Sequence, residues 1–77
     1  MDVKVLGPGC RNCATLEANA REALDQLGLE ASIEKVTDPV AIVGYGVMAT
    51  PALVVDGTVV SSGKVPDVRR LVRLLGD

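Results

Sequence analysis

Two cysteines stand two residues apart where an apolar run gives way to a helical pattern, and this junction constrains the chain more than any other feature. The stretch is Gly7-Pro8-Gly9-Cys10-Arg11-Asn12-Cys13, and it holds both cysteines of the 77-residue chain. A thiol pair at this spacing serves reversible disulfide chemistry, metal binding or a structural staple. The staple is the weakest of the three. A disulfide stabilises mainly by closing a loop in the unfolded chain, and the effect grows with loop length. A Cys10–Cys13 bridge closes a very small loop. In a cytosolic protein such a pair is more often catalytic or metal-binding.

The flanks of the pair set its surroundings. Val3, Val5 and Leu6 around Lys4 read as a short buried strand. Gly7-Pro8-Gly9 breaks it, because proline removes a backbone donor and glycine permits unusual backbone angles. From Cys10 the period becomes helical. Cys13, Leu16, Ala20, Leu24 and Leu27 recur at three- and four-residue steps, with Glu17, Arg21, Glu22, Asp25 and Gln26 mainly opposite. Gly28 suits the end of that helix. Residues 31–36, with β-branched Ile33 and Val36, read as a second strand of imperfect alternation. Strand, helix and strand then span about the ~30 residues of a βαβ unit, which implies a parallel pair with a right-handed crossover.

Asp38-Pro39 is a helix-start signal, with Asp38 as cap and Pro39 at the first helical position. A brief helix, residues 40–43, follows before Gly44-Tyr45-Gly46 interrupts it. Thr50, preceding Pro51, is pushed out of the α region. Residues 52–55 and 58–61 flank Asp56-Gly57, a two-residue hairpin signal whose turn positions both need positive φ. Val65, Val68, Leu71, Val72 and Leu75 mark a closing helix, with Pro66 near its start and Arg69, Arg70 and Arg73 outside. The order is β-α-β-α-β-β-α in one three-layer domain spanning residues 1–77.

Composition removes several functions. Eight basic and ten acidic residues are interspersed at a net charge of −2, which gives no basic footprint for nucleic acid. A single tyrosine and no other aromatic residue leave no platform for stacking on single strands. No apolar run approaches the ~18 residues of a membrane span, and the first residues lack the pattern of a signal peptide. A cytoplasmic location is therefore expected. With no histidine, Cys-His and Ser-His-Asp catalysis and His-ligated metals are excluded.

The chemistry that remains is that of the thiols. A Cys-x-x-Cys near a βαβ pattern reads as a redox motif. Unsatisfied N–H groups and the positive end of the helix dipole favour an anion at Cys10, and the thiolate is the nucleophile. Arg11 is a candidate for lowering its pKa further. Cys13, one turn on, faces the core.

These features together resemble the thioredoxin superfamily, and more narrowly its small glutaredoxin-like "redox-active disulfide" members of bacteria and archaea. The likeness rests on the Gly-x-Gly-Cys-x-x-Cys start, on Tyr45-Gly46-Val47-Met48-Ala49-Thr50-Pro51-Ala52-Leu53, and on Ser62-Gly63-Lys64-Val65-Pro66. It covers essentially the whole chain. The resemblance implies an α/β fold, a thioredoxin-like three-layer α/β/α sandwich whose four-stranded mixed sheet is ordered 2-1-3-4, with the first and last helices on one face. It implies Cys10 as attacking thiol, Cys13 as resolving thiol, and a cis Thr50-Pro51 bond facing them. Ala49, Thr50, Pro51 and Gly63 would bind an extended substrate segment. Protein disulfides are the implied substrates, a thioredoxin-reductase-type protein the electron donor, and a monomer the default state, with no cofactor and no metal. The chain departs from larger thioredoxins in having Gly9 where they carry tryptophan, and Arg11-Asn12 where they carry Gly-Pro.

Other residues have plainer readings. Met48 is expected in the core, Asp38 is a helix cap, and the arginines of the last helix are a solvated face. Tyr45 is balanced between lining the site and packing a loop. The alternative from another class is a soft-metal binding or transfer domain holding Cu(I)-type ions between the same two thiolates. Such domains end in a strand and usually carry a methionine where Pro8 stands. Zinc would need four ligands, twice what the two cysteines supply.

Overall fold

Val3, Val5 and Leu53 point to one side of a sheet, while Leu6, Ala52 and Val54 point to the other, and the two apolar faces decide where the helices pack. The computed structural model describes residues 1–9 and 11–76. Its elements run β1 (Asp2–Leu6), α1 (Arg11–Leu27), β2 (Ser32–Val36), α2 (Pro39–Gly44), β3 (Ala52–Val55), β4 (Thr58–Ser62) and α3 (Val68–Gly76). The four strands form one sheet in the order β2-β1-β3-β4. β1 and β2 are parallel, whereas β1–β3 and β3–β4 are antiparallel, so the sheet is mixed.

One face of the sheet carries the larger core. Val3, Val5 and Leu53 pack there against Leu16, Ala20, Ala23 and Leu24 of α1 and against Leu71 and Leu75 of α3. The other face is covered by α2 and the segment after it, through Ile42 and Val47, with Leu6, Ala52 and Val54 beneath. The result is a three-layer α/β/α arrangement with one thick and one thin helical layer. The imperfect alternation of β2 follows from its place at the sheet edge, where Ile33 joins the thicker layer and Val36 the thinner.

Local signals account for most element ends. α1 stops at a Schellman motif: the Leu29 N–H donates to the Leu24 carbonyl at 3.0 Å and the Gly28 N–H to the Asp25 carbonyl at 3.1 Å, with Gly28 at φ 67. Asp38 caps α2, its carboxylate accepting from the Val40 N–H at 3.0 Å, and Pro39 takes the first helical position, as expected. Asp56 and Gly57 take φ values of 50 and 84, as the hairpin between β3 and β4 requires. The Asp56 carboxylate and N–H also bond the N–H and carbonyl of Asp2, both at 2.8 Å, which ties the turn to the start of β1.

The closing helix starts later than the apolar spacing implies. Val65 and Pro66 lie ahead of it, and α3 begins at Val68 because Asp67 caps it. The Asp67 carboxylate accepts the Arg70 N–H at 2.8 Å and its carbonyl the Leu71 N–H at 3.0 Å. Val65 still packs on the core from the loop, which is why it fell into the helical period. Asn19 holds that loop down, its side-chain amide donating to the Pro66 carbonyl at 3.1 Å.

Candidate active site

The loop that leaves β1 and the loop that enters β3 meet beside the first turn of α1. Gly7 is buried, and its N–H donates to the Val36 carbonyl at 2.9 Å, which carries the β1–β2 pairing one residue past the strand. Gly9 follows at φ 86, and α1 opens at Arg11. Cys10 lies outside the described residues. Cys13 is the third residue of α1, within the turn whose N–H groups have no intrahelical partner, and it is 6% exposed.

The sulfur of Cys13 stands too close for a Cβ on Gly7, and the Pro51 Cα would be 3.9 Å from that same Cβ. Pro51, distant in sequence, thus meets the Gly7–Cys13 junction at one point. The Thr50–Pro51 peptide bond is cis. Pro51 is buried, and its carbonyl accepts the Gly63 N–H at 2.9 Å. Gly63 has φ 68, and a Cβ there would come within 2.9 Å of the Ala49 Cβ. Ala49 and Thr50 are exposed, and neither makes a backbone hydrogen bond among the described residues. The geometry therefore brings Gly7, Cys13 and Pro51 together, with Gly63 and Ala49 adjoining Pro51 and residues 49 and 50 exposed.

Arg11 and Asn12 are exposed on the first turn. The Arg11 carbonyl accepts the Thr15 hydroxyl at 3.0 Å. A small cavity of about 40 Å³ opens beside Cys13, lined by Val5, Gly7, Gly9, Ala14, Lys35 and Thr37 as well. That volume suits about one water molecule. Lys35 reaches this cavity from β2 while its ammonium pairs with Glu17 at 3.3 Å, one helical turn beyond Cys13. Neither this role of Lys35 nor the spacing role of Gly7 was signalled by the sequence. Gly7 read only as a strand breaker, and Lys35 only as part of the second strand.

Two neighbours of the Thr-Pro segment resolve differently from each other. Met48, expected in the core, is fully exposed. The short connection from α2 to β3 buries only one of its two successive large apolar residues, and that one is Val47, at 7% exposure. Tyr45 packs against the thinner layer, and its hydroxyl lies beside the Lys4 ammonium. That contact, with Asp2 and Glu34 next in effect, raises the pKa of Lys4 above its ordinary value.

Comparison with known proteins agrees with this architecture. A family model described as the thioredoxin domain matches residues 1–76. The chain belongs to the thioredoxin family, a family of thiol–disulfide oxidoreductases. It is 39% identical over 75 residues to a thioredoxin of Methanothermobacter thermautotrophicus, covering 97% of each chain. It is 35% identical over 69 residues to a thioredoxin of Methanocaldococcus jannaschii, covering 90% of this chain and 79% of that one. No helix among the described residues is long and apolar enough to cross a membrane.

Proposed function

We propose that the protein reduces disulfides in other proteins by cycling Cys10 and Cys13 between dithiol and disulfide in the cytoplasm. The Cys10 thiolate attacks one sulfur of the substrate disulfide, forming a mixed disulfide and releasing one substrate thiolate. Cys13 gives up its proton and attacks the Cys10 sulfur, which releases the second substrate thiolate. Two thiols of the protein become one disulfide, one substrate disulfide becomes two thiols, and the two protons end on the substrate. An external dithiol protein of the thioredoxin-reductase type resets the pair.

The observation that carries this reading is the convergence of the Cys13 sulfur, Gly7 and the Pro51 backbone at one point. A buried resolving thiol is shielded from substrate yet follows the attacking thiol by only three residues in sequence, which separates the two roles. The exposed backbone at Ala49 and Thr50, braced through Pro51 by Gly63, suits pairing with an extended substrate segment. Arg11 adds positive charge next to Cys10 in sequence. The soft-metal alternative gains no support from the family, and the element order β-α-β-α-β-β-α differs from the β-α-β-β-α-β order of such domains.

Trapping tests this directly. Cys13→Ser, mixed with a protein that has an accessible disulfide, should accumulate a mixed disulfide through Cys10, whereas Cys10→Ser should not. Accumulation with neither variant, or with Cys10→Ser alone, contradicts the assignment.

A further inference from the structure

The charges are less interspersed than the whole-chain balance implied, for half of the chain's cations stand in one short stretch. Lys64, Arg69, Arg70 and Arg73 fall within residues 64–73, where Asp67 is the one carboxylate, so the segment carries +3 in a chain whose total is −2. The remaining residues therefore sum to −5. All four cations are exposed, and among the described residues none of them forms a salt bridge, unlike Lys4, Arg21 and Lys35. Asp67 is engaged by the Arg70 N–H as the helix cap.

The apolar face of α3, through Leu71 and Leu75, is fixed on the core, which holds the three arginines side by side, and Lys64 lies in the loop just before them. All four line one open groove over the start of α3, and Lys64 and Arg70 also line the adjoining groove along β4. β4 is an edge strand. This surface is continuous with the candidate site, since Lys64 directly follows Gly63, whose N–H holds the Pro51 carbonyl. An uncompensated cluster of one sign raises the local concentration of opposite charge and steers encounter.

We propose that the groove over the start of α3 is a docking surface for an acidic protein partner of disulfide exchange, presenting that partner's disulfide to the neighbouring thiols. This rests on the redox reading above. A polypeptide with a short acidic segment fits better than nucleic acid, because it can place its charge on this groove alone, whereas a nucleic acid is charged along its whole length and would also meet the remaining residues, which sum to −5. The one aromatic side chain, Tyr45, is packed in the thinner layer rather than offered for stacking.

Two synthetic peptides, each with one internal disulfide and flanked by either glutamates or lysines, test the proposal alongside a small uncharged disulfide. At low salt the wild-type protein should reduce the glutamate-flanked peptide at least about tenfold faster than the lysine-flanked one. The advantage should vanish at about 0.5 M salt, where the Debye length is only a few ångströms. It should shrink in R70Q/R73Q and invert in R69E/R70E/R73E. Equal peptide rates at low salt, with the uncharged disulfide still reduced, overturn the docking surface and leave the redox reading standing. Reduction of none of the three overturns the redox reading and the surface with it. Tighter binding of a labelled oligonucleotide than of the glutamate-flanked peptide overturns the proposal in favour of nucleic acid.

Discussion

The sulfur of Cys13 fills the space that a side chain on Gly7 would need. Gly7 does not have a positive φ, so its smallness matters here rather than its backbone freedom. Gly7→Ala forces the buried sulfur aside and should cost about 1–3 kcal/mol, the usual range for overpacking. In a Cys13→Ala background the sulfur is gone and the penalty should shrink, giving a coupling above about 0.5 kcal/mol in a denaturant double-mutant cycle. Equal penalties in both backgrounds contradict the contact.

Gly63 is constrained twice. Its φ of 68 is unfavourable for a side chain, and a Cβ would crowd that of Ala49 at 2.9 Å. The backbone angle alone costs a substituted residue roughly 1–2 kcal/mol. Gly63→Ala should therefore lower stability by at least about 1 kcal/mol. By displacing the loop that braces Pro51, it should slow reduction of a protein disulfide more than of a small one. Parallel kinetics on the two substrates read this, and an equal loss on both speaks against a role in substrate binding.

Asp67 is worth testing on its own, because it caps the start of α3. Asp67→Ala removes the acceptor of the Arg70 N–H and should cost about 1 kcal/mol. For a domain of this size that lowers the melting temperature by about 4–8 °C. Asp67→Asn, which keeps an acceptor oxygen, should recover most of the loss.

Lys4 gives the fold an alkaline signature. Its pKa is raised above 10.5, first by the Tyr45 hydroxyl and then by Asp2. The folded state therefore holds the proton more tightly than the unfolded state does. The stabilisation is complete below the unfolded pKa of 10.5 and is lost as pH rises through the higher folded value. Wild-type and Lys4→Met stabilities, compared by denaturation across that window, should converge as pH rises. A constant difference contradicts the assignment.

The fold was legible wherever the signal was local. Asp56-Gly57, Asp38-Pro39 and Gly28 each act through their own backbone geometry, and each sits where the sequence implied. The start of α3 was less legible because Val65 packs on the core from a loop and imitates the helical period. The Asp67 cap, a Ser/Thr/Asp/Asn residue just before an apolar-periodic run, was the signal that could have corrected it. Met48 was misread because composition cannot say which of two adjacent apolar residues a short connection will bury. At the site, Cys13 and the Thr50-Pro51 segment stood out as motifs. Gly7 against Cys13, and Lys35 beside the cavity, depend on contacts between separate strands and loops, which no local pattern encodes.

The measurement that bears most directly on function is a redox titration of Cys10 and Cys13 against a dithiol–disulfide buffer, read by mass after thiol alkylation. The expected result is one reversible two-electron transition, in which both thiols become protected together, at a potential near or below about −270 mV. If no intramolecular disulfide forms at any poise and a soft metal ion remains bound in stoichiometric amount, the redox function is wrong and the thiols are ligands instead.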